Sequence, residues 1–202
     1  MKFPLVFAVL ACILSTSQVS AQGSLWRTYY KHPISTFETN RWSVAQVNVA
    51  IHPSARVKGG TANIVWHGEG CGNTAAKVIS LVETATKLGS QKLRGRRAVN
   101  LEIVIHDFKS PTPRVRRMQR TDVGVHHINF SISVVDGKSG NLLLAPIIIE
   151  GDLEALTGRF AKAHEEQRQG QHARVSQHLA SVVQGFLGQG PDPRRSFKRF
   201  AN

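Results

Sequence analysis

The stretch VGVHHINFSISVVDGKSGNLLLAPIII, residues 123–149, decides the fold. Ile128, Phe130, Ile132 and Val134 alternate with His127, Asn129, Ser131 and Ser133. A period of two means a β-strand with one apolar face and one polar face. On this reading Phe130 enters the core and Ser131 faces solvent. Asp136-Gly137-Lys138-Ser139-Gly140 turns the chain, and Asn141 to Ile149 returns as an almost unbroken apolar run. Pro146 has no N–H for a ladder, so the returning strand belongs at a sheet edge or is bulged there.

Working outward, Arg41 to Ile51 reads as an earlier strand. Val47, Val49 and Ile51 share a face, Trp42 and Val44 sit in the other phase, and a bulge reconciles them. Asn63-Ile64-Val65-Trp66 is a short extended segment before Gly68, Gly70 and Gly72. Asn73 or Thr74 then caps a helix with Ala75, Val78, Ile79, Val82 and Ala85 on one stripe, and Gly89 stops it. Ala98 to Phe108 is a second long strand, with Val99, Leu101, Ile103 and Ile105 facing in. Downstream of the hairpin, Asp152 caps a short turn over Leu153 to Leu156. A helix then spans about Arg159 to Leu187, apolar along Val175, Leu179, Val182, Val183 and Phe186. The expected fold class is α+β: an antiparallel sheet of about four to five strands, with two helices packed on one face.

The 202 residues leave room for one domain. Residues 1–21 read as a signal peptide. Lys2 is followed by an apolar run from Phe3 to Leu14, and Val19 and Ala21 are the small residues ahead of Gln22. The run is shorter than the roughly 18 residues of a spanning helix. An alternative uses Val9-Leu10-Ala11-Cys12 as a lipobox, with Cys12 the lipidated residue. Residues 22–190 form the single α+β domain, and residues 191–202 a basic flexible tail carrying Arg194, Arg195, Lys198 and Arg199. Either route of processing exports the chain to the periplasm or cell envelope.

The formal charge is +13, from 26 Lys and Arg against 13 Asp and Glu. Such an excess suits an anionic partner. Two clusters carry much of it. Lys92, Arg94, Arg96 and Arg97 precede the second long strand, and Arg114, Arg116, Arg117 and Arg120 follow it. These eight are the candidate anion-binding residues. The intervening segment of about 12 residues spans roughly 40 Å as a strand, which makes two patches rather than one. Anionic lipid or lipopolysaccharide is the favoured polyanion. Export and the lack of a recognition motif disfavour nucleic acid.

The nine histidines invite a metal reading. His126 and His127 point to opposite faces of one strand. His106 and His127 share the outer face near Asp107, yet two imidazoles are too few for a closed site. His126, in the apolar phase, reads as a hydrogen-bonded residue at the core's edge. His164, His172 and His178 lie on the last helix without an acid or thiol to complete a set. Cys71 near a helix start lacks an identifiable base. Gly68-Glu69-Gly70-Cys71-Gly72 lacks the Gly-Lys-Ser/Thr ending of a phosphate loop. No cofactor, metal or catalytic residue is assigned, and the chain reads as a non-enzyme.

Three phrases carry a resemblance: Asn63-Ile64-Val65-Trp66-His67-Gly68, Gly124-Val125-His126-His127-Ile128-Asn129-Phe130, and Gly170-Gln171 leading into the last helix. Over roughly residues 40 to 187 the chain resembles an uncharacterised family of small alphaproteobacterial envelope proteins, many of them lipoproteins. The resemblance implies a bacterial origin and an envelope location, without a mechanism. The expected function is that of an exported, non-enzymatic accessory or interaction protein of the envelope, the alternative being a polyanion-binding protein and the third a weak metal binder or enzyme. Its partner is then an envelope protein or an anionic membrane surface.

Overall fold

The central hairpin forms as the alternation requires. In the computed structural model, β4 (Val125–Asp136) runs antiparallel to β5 (Leu142–Glu150). The structure describes residues 30–57, 62–67, 73–112, 114, 116, 124–160, 163 and 170–196. Residues 1–29 with Cys12, the segment containing Cys71, Arg117, Arg120, most of 161–169 and the last six residues lie outside these.

Asp136 builds the hairpin turn. Its Oδ1 accepts from the backbone N–H of Lys138 and Ser139 (3.1 and 2.8 Å) and from the Ser139 hydroxyl (3.0 Å). Its Oδ2 accepts from Arg97 Nε at 2.8 Å. Gly140 takes φ +72°, a left-handed conformation that glycine adopts without strain. The Ser139 bonds, with Arg97 beside them, hold the carboxyl far below the usual carboxylate range. A depressed folded-state pKa stabilises the fold above the ordinary carboxylate pKa, and that stability disappears as pH falls toward the folded value. Asp136→Asn is therefore expected to lower the melting temperature at neutral pH. The gap to wild type should narrow steadily below about pH 4. Melts in a pH series check this, and a gap constant down to pH 2 would remove the carboxylate from the turn's stability.

The other strands are β1 (Trp42–Ile51), β2 (Ile64–Val65), β3 (Arg97–Lys109) and β6 (Leu153–Glu154). The order is β1-β3-β4-β5, with β2 beside the far end of β3 and β6 beside the start of β4. The bulge expected in β1 falls between Val44 and Gln46. β5 lies at an edge of this order, and its register against β4 is irregular between Ile147 and Leu142, around Pro146.

The sheet is mixed rather than antiparallel, which corrects the expected fold class. β1 and β2 both pair with β3 in parallel. The reason is the connection: α2 (Thr74–Gly89) separates these strands in sequence, and a helical crossover returns the chain in its original direction. Asn73 caps α2, its side chain accepting from Ala76 N at 3.0 Å. α2 packs against α3 (Gln171–Phe186), and the apolar stripe from Val175 to Phe186 is fully buried. The two helices and the inward residues of β1, β3, β4 and β5 form one core running from Tyr30 to Leu187.

Further corrections concern local structure. Leu153 does not begin a capped turn but pairs with His126 as part of β6. Asp152 instead accepts from the Ile128 N–H and from His127 Nδ1. Ser131 does not face solvent. It is 6% exposed on the outer face and bonds to His106 Nε2 at 3.1 Å. Its ladder partners are Val104 and Ile148, which crowd it on both sides. Ahead of β1 the chain forms a short helix, α1 (Thr36–Thr39). Residues 191–194, expected to begin a flexible tail, pack instead: Arg194 pairs with Asp192 and lies 3.7 Å above the Tyr30 ring.

Candidate functional site

Two regions carry unusual chemistry, one at each end of β3. The first cluster of cations gathers at the strand's N-terminal end. Here the Gly95 backbone touches that of Arg41, and its N–H donates to Trp42 O at 2.7 Å. Arg41, Lys92, Arg94 and Arg96 are all exposed. None of these four has a carboxylate within ion-pair distance among the described residues. Arg97 is different, because Asp136 holds it, and Lys87 pairs with Glu83. Glu38 is the acid on this surface, lining with Arg41, Trp42, Arg96 and Leu143 a groove of about 680 Å³. Arg94 lines a neighbouring groove of about 500 Å³ with Val44, Gln46 and Ser90.

An apolar side chain stands in the same surface, unsignalled by the sequence reading. Phe37 on α1 is 75% exposed, and the Arg41 guanidinium lies 5.9 Å from its ring centroid. Helical periodicity gives no warning of this, since α1 has only four residues.

Of the second cluster, the structure describes Arg114 and Arg116. Arg114 is exposed. Arg116 sits partly inside, its charge acting on buried His126. Arg117 and Arg120 lie outside the described residues.

The outer-face histidines are engaged separately. His106 bonds Ser131, and its ring lies 5.0 Å from that of His52. His127 donates to Asp152 at 2.9 Å. A bulge between Ile105 and Asp107 sets His106 and Asp107 against the same stretch of β4. Burial pushes the Asp107 carboxyl up, but bonds from Asn63 and Lys109 outweigh it and hold the group below its ordinary range. Among the described residues no three His, Cys, Asp or Glu side chains form a metal-holding group.

The second region is buried, at the other end of β3 under the first turns of α3. Trp66 stands edge-on to Phe108, with centroids 5.4 Å apart, and its ring lies 6.3 Å from His126 and 6.4 Å from His172. Trp66 is 4% exposed and His126 1%. Gln171 Nε2 donates to the Ser110 hydroxyl, which ties α3 to the end of β3. In this region Trp66 Nε1, His126 Nδ1, Gln171 Oε1 and His178 Nε2 are buried without a hydrogen-bond partner among the described residues. This corrects the expectation of a satisfied His126. Burial first, then the charges of Arg174, Arg116 and His178, push the His126 imidazole down to about 3. Burial also lowers His178, against opposing bonds to the backbone at Asp152 and Gly151.

These features define a class: an α+β domain with a mixed sheet and two helices on one face, with an exposed cationic end and a buried polar cluster opposite. A family model described as a family of unknown function, DUF6778, matches residues 42–202, and the chain belongs to that family. No curated protein matches it. Among similar solved structures is a Xanthomonas campestris protein of family DUF330, with 12% identity, a TM-score of 0.42, and coverage of 80% of this chain and 90% of that one. A candidate lipoprotein from Caulobacter crescentus shows 11% identity and a TM-score of 0.34, over 68% of this chain and 84% of that one. A PelC dodecamer from Paraburkholderia phytofirmans shows 10% identity and a TM-score of 0.36, over 82% of this chain and 95% of that one.

Proposed function

We propose that this protein is an exported, non-enzymatic interaction module of the bacterial envelope, and that its cationic end docks on an anionic membrane surface. The observation that carries this reading is the company Phe37 keeps. A large apolar ring stands 75% exposed beside Arg41, which shares a groove with Arg96, and Lys92 and Arg94 are exposed on the segment just before Arg96. At a lipid interface, cations meet headgroup phosphates while an aromatic ring enters the boundary beneath them. A nucleic acid would use the same cations but has no comparable apolar layer for the ring. The leader pattern of residues 1–21 supports export, and the alphaproteobacterial family resemblance supports an envelope setting. Cleavage ahead of Gln22 is the preferred processing, and lipidation at Cys12 is the alternative. Among the described residues no helix is long and apolar enough to cross a membrane.

Each Lys or Arg near an anionic membrane contributes about 1 kcal/mol. Changing Lys92, Arg94 and Arg96 together to Gln is therefore expected to weaken vesicle binding by about 100-fold at low salt, from roughly 3 kcal/mol. Phe37→Ser should weaken binding to phosphatidylglycerol vesicles while leaving retention on heparin unchanged. The deficit of the triple variant should shrink near 0.5 M salt, where the screening length is about 4 Å. Equal vesicle sedimentation of wild type and triple variant at low salt would overturn the proposal. Heparin retention without vesicle binding would favour the second reading, a polyanion binder.

A further inference from the structure

The buried cluster beneath α3 is at the opposite end of β3 from the cationic surface and needs its own explanation. A buried N–H with no acceptor is costly, because water satisfied it in the unfolded chain. Here the unpartnered groups come from β4, α3 and the segment after β2. Trp66 lies against His126 and His172, and Gln171, next to His172, bonds Ser110 at the end of β3. Trp66 Nε1 can only donate, and a neutral imidazole presents N–H at one of its two nitrogens. Gln171 can exchange its amide ends. The Ser110 hydroxyl then donates to the carbonyl, and the amide N–H turns toward the unpartnered atoms.

Charge completes the case. Among the described residues the charged groups acting on His126 are Arg174, Arg116 and His178, and none of these is an acid. Among the described residues two carboxylates belong to this end of the sheet: Asp152 is held by hydrogen bonds, and the charge of Glu154 acts on Arg174 from the surface. Asp152 accepts from His127 and the Ile128 N–H, and Glu154 is exposed on β6, with Arg174 Nη2 donating to its backbone oxygen at 3.3 Å. A site with buried N–H donors in a positive field is complementary to negative charge on oxygen.

We propose that this cluster binds a small oxyanion, a carboxylate or phosphate group, which accepts from Trp66 Nε1 and His126 Nδ1 within the field of Arg174. The ligand would bind between the sheet end and α3 and tie the two together.

The test is a titration of the ¹⁵N-labelled protein at pH 7 with sodium acetate and, separately, sodium phosphate, with sodium chloride as the ionic-strength control. The Trp66 indole N–H resonance is assigned by its loss in Trp66→Phe. The expected result is a saturable shift of that resonance with acetate or phosphate, while the Trp42 indole stays in place. Response to one probe only would assign the site to that chemistry. Arg174→Gln should weaken the affinity about tenfold, the scale of a lost charge-assisted bond. A Trp66 resonance that does not move with either probe, or moves identically with chloride, would overturn the proposal. So would an unchanged affinity in Arg174→Gln. The wild-type titration decides even if that variant fails to fold.

Discussion

Phe130→Ala is expected to lower the unfolding free energy by about 3–5 kcal/mol, the usual cost of deleting a core aromatic ring. Phe130 lies near the middle of β4, opposite Ile105 on β3 and Ile149 on β5, both fully buried. A Cβ built on Gly151 would sit 3.4 Å from Phe130 Cε1 and 3.3 Å from Leu179 Cδ2, so the ring reaches the junction of sheet and α3. Alanine would leave a hole walled by β-strands on one side and a helix on the other, and neither can move inward without breaking ladder bonds. Urea unfolding followed by circular dichroism measures the loss. A loss under about 1 kcal/mol would mean that the site collapses freely and that the hairpin is not the centre of the core.

Gly89→Ala should also destabilise, against the ordinary preference. Alanine in a helix usually gains about 1 kcal/mol over glycine. Here a Cβ on Gly89 would lie 2.4 Å from the Ala180 backbone oxygen and 2.9 Å from Val183 Cβ. Those atoms belong to α3 and cannot rotate away as a side-chain tip could. The helices must separate, at the roughly 1–3 kcal/mol typical of overpacking. A raised melting temperature would show that α2 and α3 can part without cost. The reading of Gly89 as a helix stop is thus incomplete. The residue ends α2, and Ser90 follows it in the cap position, but close helix packing is what excludes a side chain.

The placement of the long strands and of α2 was legible from local periodicity, whereas α1 and β6 were not, and the last helix begins at Gln171 rather than near Arg159. Alternation in β3 and β4, the stripe of α3, the Asn73 cap and the β1 bulge depend on residues close in sequence, whose neighbours are set by backbone geometry alone. The candidate site was legible only in part. The cations from Lys92 to Arg97 are consecutive enough to be seen, but Asp136 takes Arg97 out of the set from 39 residues away. Phe37 gave no periodic signal.

What the chain by itself determined is therefore the long strands, the two packed helices, their inward faces and the excess of positive charge. Tertiary structure decided the parallel pairing of β1 with β3, which needs α2 laid across the sheet. It also decided the burial of Ser131, since a polar phase marks the outer face of a strand but not whether Val104 and Ile148 will close over it. The buried cluster joins Trp66, His126, Gln171 and His178, and the first and last are 112 positions apart in numbering (178 − 66). No local pattern relates such positions, because their chemistry arises only when the sheet and α3 remove them together from water.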